Sequence, residues 1–319
     1  MISKANFSIT QLEYVWAVYK FGHFAKAAEA CHVTQPTLSM QIQKLEDELG
    51  VVIFDRSKKP ILLTEVGKQI IDQIQTVLSE AKKIEGIIES RSTGKIQGDL
   101  TLGIIPTIAP YILPRLLPVL EKSYPDIQLK ILELQTQRII ESLDNDEIDV
   151  GLLAIPLKIS KIQERSLYFE PFYALAKKDH PLTKLKKVKY SQLSYDDIWL
   201  LEEGHCLRHQ ILDICSPKAK KGSARRFQFE SGSLETLKSL VNSYGGFTLV
   251  PALAVDQIGS QCQLMPFENP VPSREVGLVY QRTHYKSDLI HALGDTIVSC
   301  IPDQIKKIKA KDLDVLDID

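Results

Sequence analysis

Apolar positions recur at helical spacing through the first 91 residues and gather into short β-rich runs from residue 97 onward. The chain therefore reads as a helical N-terminal part followed by alternating strands and helices. Leu12, Val15, Trp16 and Tyr19 predict a first helix over 10–21. A second, over 24–30, offers Ala25, Ala27, Ala28 and Ala30 for close packing. After the turn Cys31-His32-Val33-Thr34, a third helix starts at Gln35. Pro36 sits in its first turn, where the missing N–H is harmless, and Gly50 ends it. Two short helices about a four-residue turn are a helix-turn-helix. Residues 51–55 and 60–63, around Arg56-Ser57-Lys58-Lys59, predict a two-stranded wing that completes a DNA-binding domain over 1–63.

A long helix over 64–91 comes next, with Thr64 as N-cap and Glu65 complementing the helix dipole. Val66, Ile70, Ile74, Val77, Ala81, Ile84 and Ile88 follow one another in steps of three or four along it. Such a stripe suits either a coiled-coil contact with a second copy or packing on its own domain, and the length favours the dimer. Ser92-Thr93-Gly94-Lys95 reads as a hinge, so 64–95 is a linker and dimerisation segment.

Beyond it, apolar runs at 100–105, 127–134 and 148–155 alternate with helical stretches at 114–122 and 138–143. A second block has strands at 198–201, 227–229 and 247–250 and helices at 205–213, 234–242 and 251–257. A strand at 275–280 and a helix at 288–301 close the pattern. Alternation predicts an α/β class with parallel sheets covered by helices. Two lobes follow, one at about 96–168 and 269–305 and the other at about 169–268, in a periplasmic-binding-protein-like arrangement. The tail, 306–319, is expected to be frayed.

Composition adds exclusions rather than assignments. The 319 residues are 44% hydrophobic and 25% charged with a formal net charge of -1, so a basic DNA footprint must come from placement. With no apolar run of membrane-spanning length and no leader-like N-terminus, a cytoplasmic location is expected. Thiols are kept reduced there, and a disulfide would be transient and regulatory. The five cysteines, Cys31, Cys206, Cys215, Cys262 and Cys300, form no Cys-x-x-Cys pair. No metal site and no cofactor are expected.

Thr34, Gln35, Pro36, Thr37 and Ser39 put short polar groups at the exposed start of the third helix, where they can reach base edges. Gln43 lies further along and can pair with adenine. Arg56 and Lys58 on the wing suit backbone phosphates. Each alone would pass as an ordinary solvated residue; together on one motif they are harder to dismiss. Ala27-Ala28, Val33 through Ser39, Ile42, Lys44-Leu45-Glu46, Leu49-Gly50, Phe54-Asp55-Arg56 and Leu63 through Gly67 resemble the N-terminal signature of LysR-type regulators. That resemblance implies a transcription factor rather than an enzyme. It also implies a homodimer through the linker helix, usually paired into a homotetramer on operator DNA, with RNA polymerase as a further partner.

Gly204-His205-Cys206-Leu207-Arg208-His209-Gln210 is followed by Cys215. Cys206 falls at a helix start, where the dipole favours thiolate, and His205 and Arg208 add donors or charge. In a continuous helix the two cysteines stand roughly 13 Å apart, whereas a disulfide needs Cα atoms within about 7 Å. Any bond between them requires refolding of 206–215. Single cysteines are mostly buried small hydrophobes, which accounts for Cys31, Cys262 and Cys300. The segment 200–208 resembles the peroxide-sensing members of the LysR family, as do Ile105-Pro106-Thr107, Gln135-Thr136, Ser233 through Leu237, Leu249 through Val255 and Gly277 through Tyr280. The resemblance implies Cys206 as the peroxidatic and Cys215 as the resolving cysteine, with Thr107, Thr136 and His205 around hydrogen peroxide. Thr107 and Thr136 each follow a predicted strand, where α/β proteins place ligands. The chain departs from that pattern at His209, where an acid is expected, and at Gln281, where an arginine is expected. Regulation by a small metabolite in the inter-lobe cleft is the alternative.

Overall fold

The computed structural model describes residues 7–93, 96–193, 197–215, 231–256, 258–282, 286–308 and 313–318. It divides into two compact units, Met1–Gly94 and Lys95–Asp319.

In the first unit, α1 (Ile9–Phe21), α2 (Phe24–Ala30) and α3 (Gln35–Leu49) follow the sequence expectation closely. Side-chain caps fix their starts. Ser8 and Gln11 form a capping box on α1, and His23 Nδ1 accepts from Ala25 N at 3.1 Å on α2. Thr34 caps α3, while Gly50 ends it at φ +67°, in the left-handed region open to glycine. The wing strands β1 (Phe54–Asp55) and β2 (Leu62–Leu63) are shorter than expected. The reason lies in Glu46, whose buried carboxylate accepts from the N–H groups of both Ile53 (2.7 Å) and Phe54 (3.3 Å). The Ile53 amide is thereby withdrawn from a β ladder, and β1 begins only at Phe54.

The helix α4 (Glu65–Thr93) starts as expected: Thr64 Oγ1 accepts from Gly67 N at 3.0 Å. It runs through Ser92 and Thr93, which the sequence assigns to a hinge; Gly94 and Lys95 lie outside the described residues. Its apolar stripe divides. Ile71 and Ile74 are buried in the core formed with Leu12, Val15, Leu38, Ile42 and Leu45, and Ile70 and Val77 pack against it. Ile84, further along, is 62% exposed, and the side chain of Ile88 lies outside the described residues.

The second unit opens with β3 (Gly98–Ile104), α5 (Ala109–Ser123), β4 (Ile127–Glu133), α6 (Thr136–Asp144) and β5 (Val150–Ile155). These strands pair in parallel in the order β4-β3-β5. The helix α5 begins five residues ahead of the expected start and continues through Pro114 and Pro118.

The parallel expectation then fails. β6 (Ile162–Lys177) is a 16-residue strand the sequence reading missed. Its first half pairs antiparallel with β9 (Val271–Gln281), itself antiparallel to β5. Its second half pairs with β7 (Phe247–Pro251) and β8 (Cys262–Pro266). Because β6 leaves one lobe and β9 returns to it, the two run in opposite directions, and the sheet is mixed. Each lobe keeps its own apolar core, one around Leu102, Leu152, Leu278 and Ile297 and the other around Phe172, Leu207, Leu237 and Leu249.

In the second lobe, α7 (Cys206–Ile214) and α8 (Leu234–Tyr244) appear close to expectation. The expected helix at 251–257 is a 3-10 helix, Ala252–Asp256, and the expected strand at 198–201 reduces to one bridge from Ile198 to Phe247. The expected strand at 227–229 lies outside the described residues. After α9 (Ser287–Cys300) and α10 (Asp303–Lys306), the tail is not frayed at 313–318. Its β10 (Leu313–Val315) pairs in parallel with Val271, Pro272 and Ser273 of β9. Leu316 is buried in the second lobe's core.

Candidate redox site and nucleic-acid interface

Three elements of the second unit bring side chains to Cys206. Cys206 is the first residue of α7 and is 6% exposed. Thr136, at the start of α6, presents its hydroxyl to the sulfur and favours the thiolate. That hydroxyl is buried and makes no hydrogen bond of ordinary geometry. Thr107, in the turn before α5, is also buried. Its Oγ1 accepts from Arg274 Nη1 at 2.9 Å and its carbonyl from Nη2 at 3.1 Å.

Arg274 is the charge that sequence reasoning missed. It lies on β9 directly across from Glu170 on β6, and both are 0% exposed. Arg274 Nε donates to Glu170 Oε2 at 2.8 Å, and Glu170 Oε1 accepts from Leu253 N at 2.8 Å. Buried charges must be paired, but little in the sequence signalled this pair, since Glu164, Arg165 and Glu275 are charged residues on the same two strands. Tyr168, two residues before Glu170, also carries a buried hydroxyl without a hydrogen-bond partner.

Arg208 does not join the pocket. Its Nη1 donates to Leu201 O at 2.6 Å and pins the segment ahead of α7. Two positions along a helix turn a side chain about 200° away from Cys206, so the expected neighbour faces elsewhere. His205, at the N-cap position of α7, is buried. Its Nε2 lies 3.4 Å from Gln135 Nε2 and 3.7 Å from Glu202 Oε1. Burial lowers its pKa, with Glu202 opposing, so the ring is neutral at neutral pH. The turn before it needs glycine: Gly204 has φ +91°, and a Cβ there would stand 2.7 Å from Gln135 Oε1.

Burial pushes the Cys206 thiol up, against the lowering effects of Arg274, the Thr136 hydroxyl and the helix-start N–H groups of Leu207 and Cys206. Burial outweighs them all. Cys215, at the other end of α7, is buried, and its pKa is pushed up to about 12. The two free thiols occupy different cores, Cys206 that of the first lobe and Cys215 that of the second. Among the described residues, no cluster of three or more His, Cys, Asp or Glu side chains could hold a metal ion.

In the first unit, Thr34, Gln35, Pro36, Thr37 and Gln43 are exposed and Ser39 is partly so. The Thr34 hydroxyl is engaged at the cap, 2.8 Å from that of Thr37. Arg56 is held at 2.7 Å by Glu46, and its guanidinium stacks 5.4 Å from the Phe24 ring centroid. That makes Arg56 a clamp on the wing, although its side chain stays 37% exposed. Lys58 at the wing tip is exposed.

A helix-turn-helix with a wing, joined in one chain to a two-lobed domain with a buried cysteine at a helix start, defines a one-component transcriptional regulator. The chain belongs to the LysR family. Residues 9–68 match the bacterial regulatory helix-turn-helix protein of the lysR family, and residues 93–299 match the LysR substrate binding domain. It is 35% identical over 306 residues to a hydrogen peroxide-inducible genes activator of Dickeya chrysanthemi, covering 95% of this chain and 99% of the relative. It is 37% identical to the DNA-binding transcriptional dual regulator OxyR of Escherichia coli, covering 86% of this chain and 89% of the relative. The fold is similar to a full-length OxyR variant from Pseudomonas aeruginosa, with a TM-score of 0.75 and 35% identity over 93% of this chain and 99% of that one. A hydrogen-peroxide-bound OxyR mutant from Corynebacterium glutamicum is similar at a TM-score of 0.59 and 29% identity, over 92% of each chain.

Proposed function

We propose that the chain is a hydrogen-peroxide-responsive transcriptional regulator that binds promoter DNA as a homodimer, paired into a homotetramer. In this reading Cys206 is the peroxidatic and Cys215 the resolving thiol. The observation that carries it is the grouping of the buried residues Cys206, Thr107 and Arg274 with the buried Thr136 hydroxyl. Hydrogen peroxide must be both donor and acceptor to its site. Thr107 accepts from Arg274 and keeps its own proton to donate, while the Thr136 hydroxyl beside the sulfur can either donate or accept.

The Cys206 sulfur gives up its proton and attacks one peroxide oxygen; an S–O bond forms, the O–O bond breaks, and the departing hydroxide is protonated to water. The product is a sulfenic acid, which a second thiol condenses to a disulfide. Cys215 attacks the Cys206 sulfur, an S–S bond forms and a second water leaves. Two thiols have then supplied the two electrons that reduce one peroxide. Since Cys206 and Cys215 bracket α7 in different cores, closure dismantles the helix and turns oxidation into a conformational signal.

The lobes are tied across their boundary by Tyr111 to Glu235 at 2.5 Å and Arg115 to Asp256 at 2.6 Å. These ties argue against a cleft that opens for a bulky metabolite. Thiol titration after substoichiometric peroxide tests the proposal. Two thiols should disappear for each peroxide consumed, and consumption should then stop. Unchanged thiols would remove peroxide as the signal, and continuing consumption would make the chain a peroxidase.

A further inference from the structure

On α3 the buried residues Leu38, Ile42, Leu45 and Glu46 define the side that faces the domain core. At 3.6 residues per turn, about 100° per residue, the direction opposite their mean falls on Met40. Met40 is 61% exposed and lies outside the core formed by the three helices and the wing. It sits in a shallow groove whose other lining residues are Pro36, Ser39, Gln43, Lys44 and Asp47. An apolar side chain thus occupies the middle of the face that a recognition helix turns to DNA, with polar residues on both sides.

We propose that Met40 is a specificity-determining residue that packs against the C5-methyl group of a thymine in the major groove. Each base pair presents a different edge there, and thymine alone adds a methyl group to its acceptor oxygen. A thioether has no hydrogen to donate and accepts weakly, so Met40 has little to offer a guanine or adenine edge. What it can do is exclude water from an apolar group, and its flexible, polarisable chain adapts to an irregular surface. Methionine is also a good helix former; that alone would admit it at this position but gives no reason for base discrimination, and discrimination is what the test reads.

The inference rests on α3 being the DNA-reading helix, and the experiment separates the two. The full-length chain is used to select its operator from random duplexes, and each thymine of that operator is then replaced in turn by deoxyuridine, which removes only the C5-methyl group. One replacement per half-site should weaken wild-type binding roughly fourfold, the worth of one buried methyl. Met40→Ala should bind the unmodified operator more weakly and no longer distinguish thymine from uracil at that position. Met40→Leu should restore part of the discrimination. A wild-type chain indifferent to every uracil, or a Met40→Ala variant with undiminished discrimination, overturns the role of Met40 alone. A chain that selects no sequence overturns the reading of α3 together with it.

Discussion

Arg274 and Glu170 face each other across adjacent strands with no exposure to solvent, joined by bonds of 2.8 Å from Nε and 2.7 Å from Nη2 to one carboxylate oxygen. Arg274 is the charge with the largest effect on the Cys206 thiol and lowers its pKa, while burial outweighs it and raises the pKa. The Glu170 carboxylate beside the guanidinium opposes its field at the sulfur. Glu170→Gln should free that charge, lower the Cys206 pKa and speed sulfenic acid formation at neutral pH. Arg274→Gln should do the reverse. Each leaves one charge without its buried partner, which destabilises by about 3–5 kcal/mol, so thiolate absorbance against pH should be read beside denaturant unfolding. Shifts of the same sign in both variants would refute the balance described.

Cys215 yields a prediction about alkaline stability. Its thiol is held up at about 12, against an ordinary 9.0. Between those values the native state keeps a proton that the unfolded chain releases, so stability falls as pH rises through that window and is complete below it. Cys206 contributes with the same sign. Cys215→Ala should flatten the decline in denaturation midpoint above the ordinary thiol pKa. An unchanged slope would place the responsible group elsewhere.

How much of this was legible in the sequence depended on whether the signal was local. The first three helices were readable because their apolar spacing, Pro36 in the first turn of α3 and Gly50 at its end are local features. Cys206 stood out by its polar neighbours. β6 did not, because both faces of its second half are buried through Phe172, Ala174, Leu175 and Ala176, and the period-two signature of a half-buried strand is absent there. The tail's alternation at Leu313 and Val315 was masked by the charged residues around it. Arg208 was misplaced because nearness in sequence is not nearness on a helix. Arg274, 68 positions from Cys206 in the chain, becomes its neighbour only once β6 and β9 pair.

The divided stripe on α4 separates folding from assembly. Ile74 is 6% exposed within the core of its own unit, so Ile74→Glu should lower the melting temperature of the N-terminal unit and abolish DNA binding by unfolding it. Ile84, at 62% exposed, makes no such contribution. Ile84→Glu should leave the helix-turn-helix folded by circular dichroism and near-native melting, yet shift the sedimenting species from dimer or tetramer toward monomer. An Ile84→Glu variant with the wild-type oligomeric state would move the interface off this face.

The tail and the redox helix should move together. Leu316 N donates to Ser273 O at 2.9 Å, Leu316 O accepts from Gln210 Nε2 at 3.3 Å, and Tyr190 Oη donates to Asp314 at 2.8 Å. Gln210 is a turn beyond Cys206 on α7, and the Leu316 side chain shares the core of Cys215. A helix dismantled by disulfide closure cannot keep the Gln210 bond, and Leu316 loses the packing around it. Amides at 313–316 should therefore exchange with solvent faster in peroxide-treated protein than in reduced protein, and Cys206→Ser should show no difference. Ending the chain after residue 312 removes contacts that hold the reduced form together, so it should accelerate conversion of the Cys206 sulfenic acid to the disulfide severalfold without changing the first reaction with peroxide. If peptide mapping finds Cys206 joined to Cys215 while exchange at 313–316 stays at the reduced rate, the tail is merely a neighbour of the switch.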